Sequence, residues 1–173
     1  QIPLCNASGI YDNALAEYQF ANVITTLIEH KSILELVKSE VFNACVHYCD
    51  VDRYGFVDYK SLERLLNRYK NNPVLVSINT ANNEIGTIQD LAKISKLVHE
   101  YGGILVHAHP HRIRDYIDPD FAPRYDVCDG IEVYNASDTD EINELAVQDA
   151  ISLNKLMTSG GDVHRVIDEP KLG

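Results

Sequence analysis

Two short runs break off into groups that can bind a metal or move a proton. One is Gly103-Gly-Ile-Leu-Val-His107-Ala-His109-Pro110-His111-Arg112 in mid-chain; the other is Thr158-Ser-Gly-Gly-Asp162-Val-His164-Arg165 near the end. Both follow apolar stretches, and in a parallel α/β sheet the carboxyl ends of strands are where ligands bind. His109, Asp162 and His164 would together offer two neutral nitrogens and one anionic oxygen, a set that suits Zn, Mn or Fe. The competing reading of His109 is a strand-end histidine bonded to backbone. His107 points to the same strand face as His109, and His111 reads as loop surface. Glu132 sits in an apolar strand, where an unpaired carboxylate is costly, so it faces either solvent or the site.

A third cluster is Cys45-Val-His47-Tyr-Cys49, whose alternate residues share one face of a strand and could offer soft ligands. Its plainer reading is a buried strand that uses Cys as a small hydrophobe. The four cysteines, Cys5, Cys45, Cys49 and Cys128, form no CxxC pair and no disulfide framework, which sets a reducing, cytoplasmic location as the expectation.

These groups need elements to hold them, and the chain supplies a regular alternation. Short apolar runs predict strands at Asn22–Thr26, Ala44–Cys49, Val74–Asn79, Ile104–Ala108, Ile131–Tyr134 and Leu156–Ser159. Leu62, Leu65, Leu66 and Tyr69 recur at helical spacing after Asp58, as do Leu91, Ile94, Leu97 and Val98. The second of these helices has Thr87-x-x-Asp90 as a capping box and Gly102 as its stop. Ile142, Leu145, Ala146 and Leu153 mark another helix, and Asp12–Phe20 and Lys31–Ser39 two earlier ones. The order predicts an α/β fold with a mainly parallel sheet of about six strands and helices on both faces. At 173 residues an open three-layer sandwich fits better than a closed, barrel-like arrangement, whose eight-fold form takes about 250 residues. Arg112–Asp129, with Pro119 and Pro123, reads as a long loop on the ligand side.

Length and composition suggest one domain over residues 1–173, with 45% hydrophobic and 24% charged residues. A net charge of −11 argues against a nucleic-acid backbone as partner. No apolar run reaches membrane-spanning length and no signal peptide is seen, so no membrane partner is expected. Gln1 stands where an initiator Met would, which suggests a removed N-terminus.

From Gly103 onward the residues resemble a polymerase-and-histidinol-phosphatase (PHP) family metallohydrolase. The likeness is carried by Gly-Gly-Ile-Leu-Val-His-Ala-His109-Pro110-His-Arg, by Cys-Asp-Gly-Ile-Glu132-Val-Tyr134-Asn135-Ala, by Asn143-Glu-Leu-Ala146 and by Thr158-Ser-Gly-Gly-Asp162-Val-His164. The resemblance implies that His109, Asp162 and His164 are metal ligands in a site that hydrolyses a small phosphorylated substrate. That family's opening H-x-H strand has no counterpart in residues 1–101, where the histidines are His30, His47 and His99. Its implied activity is therefore weak or incomplete.

Residues 7–102 resemble a different family, the class V cysteine desulfurases that use pyridoxal phosphate (PLP). The matching segments are Val23-Ile-Thr-Thr, Ile28-Glu29-His30-Lys31-Ser-Ile-Leu, Val51-Asp-Arg-Tyr-Gly-Phe-Val-Asp58, and Val74-Leu-Val-Ser-Ile-Asn-Thr-Ala-Asn82-Asn83-Glu84-Ile85-Gly86-Thr-Ile-Gln89. The resemblance implies that His30 stacks on the pyridine ring and Asn83 contacts the cofactor. Ser8 and Gly9 fall where that family anchors the phosphate at a helix N-terminus. In the Asn82-Asn83-Glu84 turn the alternative is local capping of backbone by side chain. The family's aspartate, which pairs with the pyridine nitrogen, would follow the strand at Ile104–His107, where this chain has His-Ala-His109-Pro. The lysine that bonds to the cofactor belongs to a segment outside this likeness.

The two likenesses meet at residues 101–104, which suggests a recombined or engineered chimera; a misdetermined sequence is the alternative. The sequence alone thus favours a PHP-type metal-dependent hydrolase, with a PLP-binding desulfurase fragment or an inactive chimera as the other readings.

Overall fold

The computed structural model describes residues 22–38, 45–112 and 124–161, and the backbone of 4–6. Seven parallel strands form one open sheet. They are β1 (Leu4–Asn6), β2 (Asn22–Thr25), β3 (Cys45–Tyr48), β4 (Val74–Ser77), β5 (Ile104–His107), β6 (Gly130–Asn135) and β7 (Leu156–Gly160), in the order β3-β2-β4-β1-β5-β6-β7. The four described helices are α1 (Lys31–Leu36), α2 (Tyr59–Tyr69), α3 (Leu91–Glu100) and α4 (Asp140–Ser152).

The crossovers through α2, α3 and α4 run one way along the sheet and the crossover through α1 runs the other way. Right-handed connection, which is nearly universal, therefore puts α2, α3 and α4 on one face and α1 on the opposite one. Contact between α2 and α3 fits that placement. Every residue of β2 and β4 is buried, because a central parallel strand is covered on both faces. Ile24, Val76 and Ile131 from the sheet close on Leu62, Leu66, Ile94, Val98, Ala146 and Ala150 from the helices. Most of these helical residues are the apolar positions that the spacing singles out.

Each described helix starts on a side chain that accepts from an otherwise unpaired backbone N–H. Asp58 accepts from Lys60 and Ser61, Asp90 from Lys93, Thr139 from Ile142 and His30 from Ser32. Asp90 is thus the cap of α3, whereas the Thr87 hydroxyl donates to the Tyr54 carbonyl at 2.5 Å. Gly102 ends α3 at φ 72°, a left-handed turn that a residue without Cβ adopts freely.

All six expected strands are present, with ends shifted by one or two residues. The seventh, β1, is one that the apolar pattern does not predict; it is inserted between β4 and β5, with Leu4 opposite both Leu75 and Ile104. The expected helix at Asp12–Phe20 lies outside the described residues, as does Ser39. No break falls at residues 101–104: β5 follows directly and pairs with β1 on one side and β6 on the other. No described helix is long and apolar enough to cross a membrane.

Candidate functional site

Parallel strands place all their carboxyl ends on one edge, and there the loops after β2, β3 and β4 are tied together. Asn82 Nδ2 donates to the Ile28 carbonyl at 2.6 Å. The buried carboxyl of Glu29 accepts from Thr26 Oγ1 at 2.7 Å and from the Asn79 N–H at 2.8 Å. Gln89 donates to the Gly55 carbonyl at 2.7 Å and accepts from the Val57 N–H at 3.1 Å. Side chains buried at 6–7% exposure (Glu29, Asn82 and Gln89) thus serve loop backbone that no strand partner reaches. Burial pushes the Glu29 carboxyl up to about 7, against the opposing pull of its Thr26 and Asn79 bonds.

This framework carries His30 and Asn83. His30 is exposed at the start of α1, with Nδ1 accepting from the Ser32 N–H at 3.3 Å. Asn83 is exposed on the turn after β4. Its neighbour Asn82 does the local capping: Oδ1 accepts from Glu84 and Ile85 N–H at 2.9 and 3.0 Å. The bond from Asn82 to Ile28 ties the loop that leads into His30 to the turn that carries Asn83. Ser8 and Gly9, which follow β1 in sequence, lie outside the described residues.

The turn after β5 is held by groups from β6, α4 and the segment before β6. His109 adopts φ 29° and its N–H donates to Glu132 Oε2 at 2.6 Å. Glu132 is buried, so of the two placements open to it in the sequence, the one away from solvent is realised. His111 Nε2 donates to Asp149 Oδ2 at 2.7 Å and Tyr125 OH donates to the same oxygen at 2.7 Å. His111 is therefore a half-buried tether and not the loop-surface residue expected. Arg112 donates to Asp138 Oδ1 and Asn135 Oδ1, both at 3.1 Å. His107 is half-buried against Tyr125, and burial pushes its imidazole below the ordinary value despite its bond to the Ala108 carbonyl.

Of the expected metal set, His109 is the described member; Asp162 and His164 lie outside the described residues. Among the described residues no three His, Cys, Asp or Glu side chains converge as a metal would require. The nearby carboxylates are instead taken up in hydrogen bonds to the turn. The Cys45-Val-His47-Tyr-Cys49 strand gives no ligand face either. Cys45 is exposed and Cys49 buried, while His47 stacks on Tyr69 at 4.1 Å and donates to Asn22.

Sequence reasoning missed Glu29, Gln89, Tyr125, Arg112 and Asp149. Glu29 had a signal, an ionisable residue beside the candidate His30 at the end of an apolar strand. The others show their role only when strands distant in sequence become neighbours.

The family model for aminotransferase class-V matches residues 13–109, more than half of the chain. The cysteine desulfurase IscS of Dictyoglomus turgidum is 40% identical over 81 residues, which are 46% of this chain and 20% of that protein. A mitosomal cysteine desulfurase of Encephalitozoon cuniculi is 38% identical over 100 residues, 57% of this chain and 22% of that protein. Among solved structures, a NifS-like protein from Rickettsia africae aligns at 33% identity with a TM-score of 0.41, covering 50% of this chain and 23% of that one. The chain spans about a fifth of the length of these curated relatives. These matches overturn the PHP-type metal-dependent hydrolase expected from residues 103–173. They give no support to a chimera, since the match runs on past residues 101–104 to His109.

Proposed function

We propose, for a chain that belongs to the class-V aminotransferase family, that it forms the cofactor-binding sheet of a cysteine desulfurase-type enzyme. The observation that carries this reading is the bond from Asn82 to Ile28, which sets the His30 and Asn83 loops side by side at the carboxyl edge. The donor set fits PLP: a planar imidazole exposed to stack on a ring, and beside it an amide exposed to hydrogen-bond a ring substituent. Ser8 and Gly9 are the proposed phosphate contacts. Bound there, PLP supplies an electron sink for charge that develops on an amino-acid substrate.

The chain's own residues bind and orient. His30 offers its ring face and is steadied by its Nδ1 bond to Ser32. Asn83 offers a donor and an acceptor from a turn that Asn82 holds rigid. His109 stands where the family places an aspartate, so this chain presents an imidazole in place of an anion. An imidazole holds a proton on a pyridine nitrogen less strongly than a carboxylate does, because it supplies no negative charge.

Titration with PLP, followed by absorbance and by quenching of tyrosine fluorescence, tests the reading. Saturable binding is expected, weakened about five- to tenfold in His30→Ala, the worth of one stacking contact. Absence of saturable binding by the unsubstituted chain, or binding left unchanged in both His30→Ala and Asn83→Ala, would overturn it.

A further inference from the structure

His109 is one of two residues other than glycine at positive φ among the described residues, and the one that lies at the carboxyl edge. A left-handed backbone costs an L-residue with a Cβ about 1 kcal/mol or more and persists only where the surroundings impose it. What imposes it here is visible. The His109 N–H donates at 2.6 Å to Glu132 Oε2, a short bond to a buried carboxylate at 5% exposure. That oxygen also accepts from Asn135 Nδ2 at 3.3 Å. Asn135 is fixed in turn by α4, exchanging bonds with Asn143 at 2.9 and 3.2 Å. On the other side of the turn, the Arg112 N–H donates to the His109 carbonyl at 3.2 Å and its guanidinium is tied to Asn135 and Asp138. Both backbone groups of His109 are therefore clamped to one rigid unit made by β6 and α4.

The register of β6 supports the same conclusion. Its pairing with β7 shifts between Glu132 and Tyr134, so a bulge immediately follows Glu132. Bulges re-aim neighbouring side chains and recur beside binding sites. A buried glutamate in a mostly apolar strand, placed before a bulge and directed onto a strained turn, has no value for packing that an apolar residue would not exceed.

We infer that Glu132 is a positioning residue that locks the turn after β5 in its left-handed form and so presents the His109 imidazole to the ligand at the carboxyl edge. The ligand part of this inference rests on the proposed PLP site; the positioning part does not. Glu132 touches the His109 backbone and acts through it.

The test has two arms. In the first, without PLP, the amide proton of His109 is expected far downfield in the unsubstituted chain. It should move upfield in Glu132→Gln, a variant of the same shape that replaces a carboxyl oxygen by the oxygen of an amide. The His109 ring signals should broaden as the turn loses its single conformation. An unmoved amide signal overturns the inference whether or not PLP binds.

In the second arm, PLP affinity is measured for Glu132→Gln, His109→Gly and the double variant. His109→Gly adopts positive φ without strain and keeps every buried carboxylate, so it folds even where Glu132→Gln is impaired. Glu132→Gln should weaken PLP about tenfold, the upper end of what one net hydrogen bond contributes. The double variant should bind no worse than His109→Gly alone, because Glu132 has nothing left to position. Additive losses overturn the inference. Failure of the unsubstituted chain to bind PLP overturns the functional reading and leaves the first arm to decide the positioning role.

Discussion

At the scale of single residues, the carboxyl edge depends on buried polar groups that bond loop backbone, and Glu29 shows what this implies for pH. Its carboxyl titrates at about 7 in the fold, raised by burial from 4.5. A carboxyl raised in the fold stabilises most below its unfolded value, where both states carry the proton. That advantage is lost as pH rises from 4.5 through 7, because the fold must then bury a charge. A tenfold change in proton affinity corresponds to about 1.36 kcal/mol, so the loss approaches about 3 kcal/mol. Glu29→Gln stays neutral and can still accept from either Asn79 or Thr26. Relative to this variant, the unsubstituted chain should be about 2–3 kcal/mol less stable at pH 8 than at pH 5. Urea unfolding at the two pH values checks it, and a pH-independent difference between the two proteins would show that Glu29 is ionised throughout. None of this was legible from residue type, since burial and the bond to Asn79, 50 positions away, arise only when β2 and β4 become neighbours. His30 and Asn83 are candidates because they sit in a run of residues that match the family, and their role toward a cofactor is part of the proposal. Asn82 was legible as a capping residue because its bonds to Glu84 and Ile85 span two and three positions.

At the scale of elements, apolar period and punctuation located what they could. Six strands follow from runs of Val, Ile and Leu between polar or glycine stops, since burial on both faces demands such runs, and all four described helices stand where helices are expected. β1 escaped because Leu4-Cys-Asn is three residues long and its second neighbour, β5, is a hundred positions away. Thr87 looks like a cap in sequence for a related reason: its hydroxyl serves the Tyr54 carbonyl in the loop after β3, a partner that spacing does not reveal. That same loop contact gives a test of how tightly the connections are packed. Gly55 has φ 85°, and a Cβ there would lie 2.5 Å from Ile85 Cδ1 and 3.0 Å from Thr87 Oγ1. Gly86 has φ 73° and nothing within 4 Å of a Cβ. Both alanine variants bear the backbone penalty of about 1 kcal/mol, and Gly55→Ala must also displace its neighbours. Ile85 is exposed and can swing away, while Thr87 is fixed by its bond, so Gly55→Ala should be about 1–2 kcal/mol less stable than Gly86→Ala. Equal losses, measured by thermal or urea unfolding, would mean that the loop yields freely and does not brace the His30 and Asn83 framework.

For the whole molecule, the sequence suggests two halves and the sheet joins them. The motifs from Gly103 onward resemble a metallohydrolase when read alone, because a strand ending in histidine looks the same in any parallel sheet. In the fold, β5 is bonded to β1 over Leu4–Asn6, so the suggested seam is crossed by backbone hydrogen bonds. Side-chain ties cross it as well: Asp129 accepts from His99 at 2.8 Å and Ser95 Oγ donates to the Val127 carbonyl at 2.7 Å. A sheet so connected should open as one cooperative unit, whereas two fused halves would open separately. Native-state hydrogen exchange distinguishes these. Ile24 and Val76 on one side and Ile131 on the other are all fully buried strand positions. Their amides should exchange with a common free energy of opening that falls in parallel as urea is added. The edge strands β3 and β7, whose side chains are largely exposed, should exchange more easily. Cys45–Tyr48 and Leu156–Gly160 thus report local fraying while the inner strands report global unfolding. Two distinct free energies, one for β2 and β4 and another for β6, would place a true structural boundary near residue 103 and divide the sheet where the motifs divide the sequence.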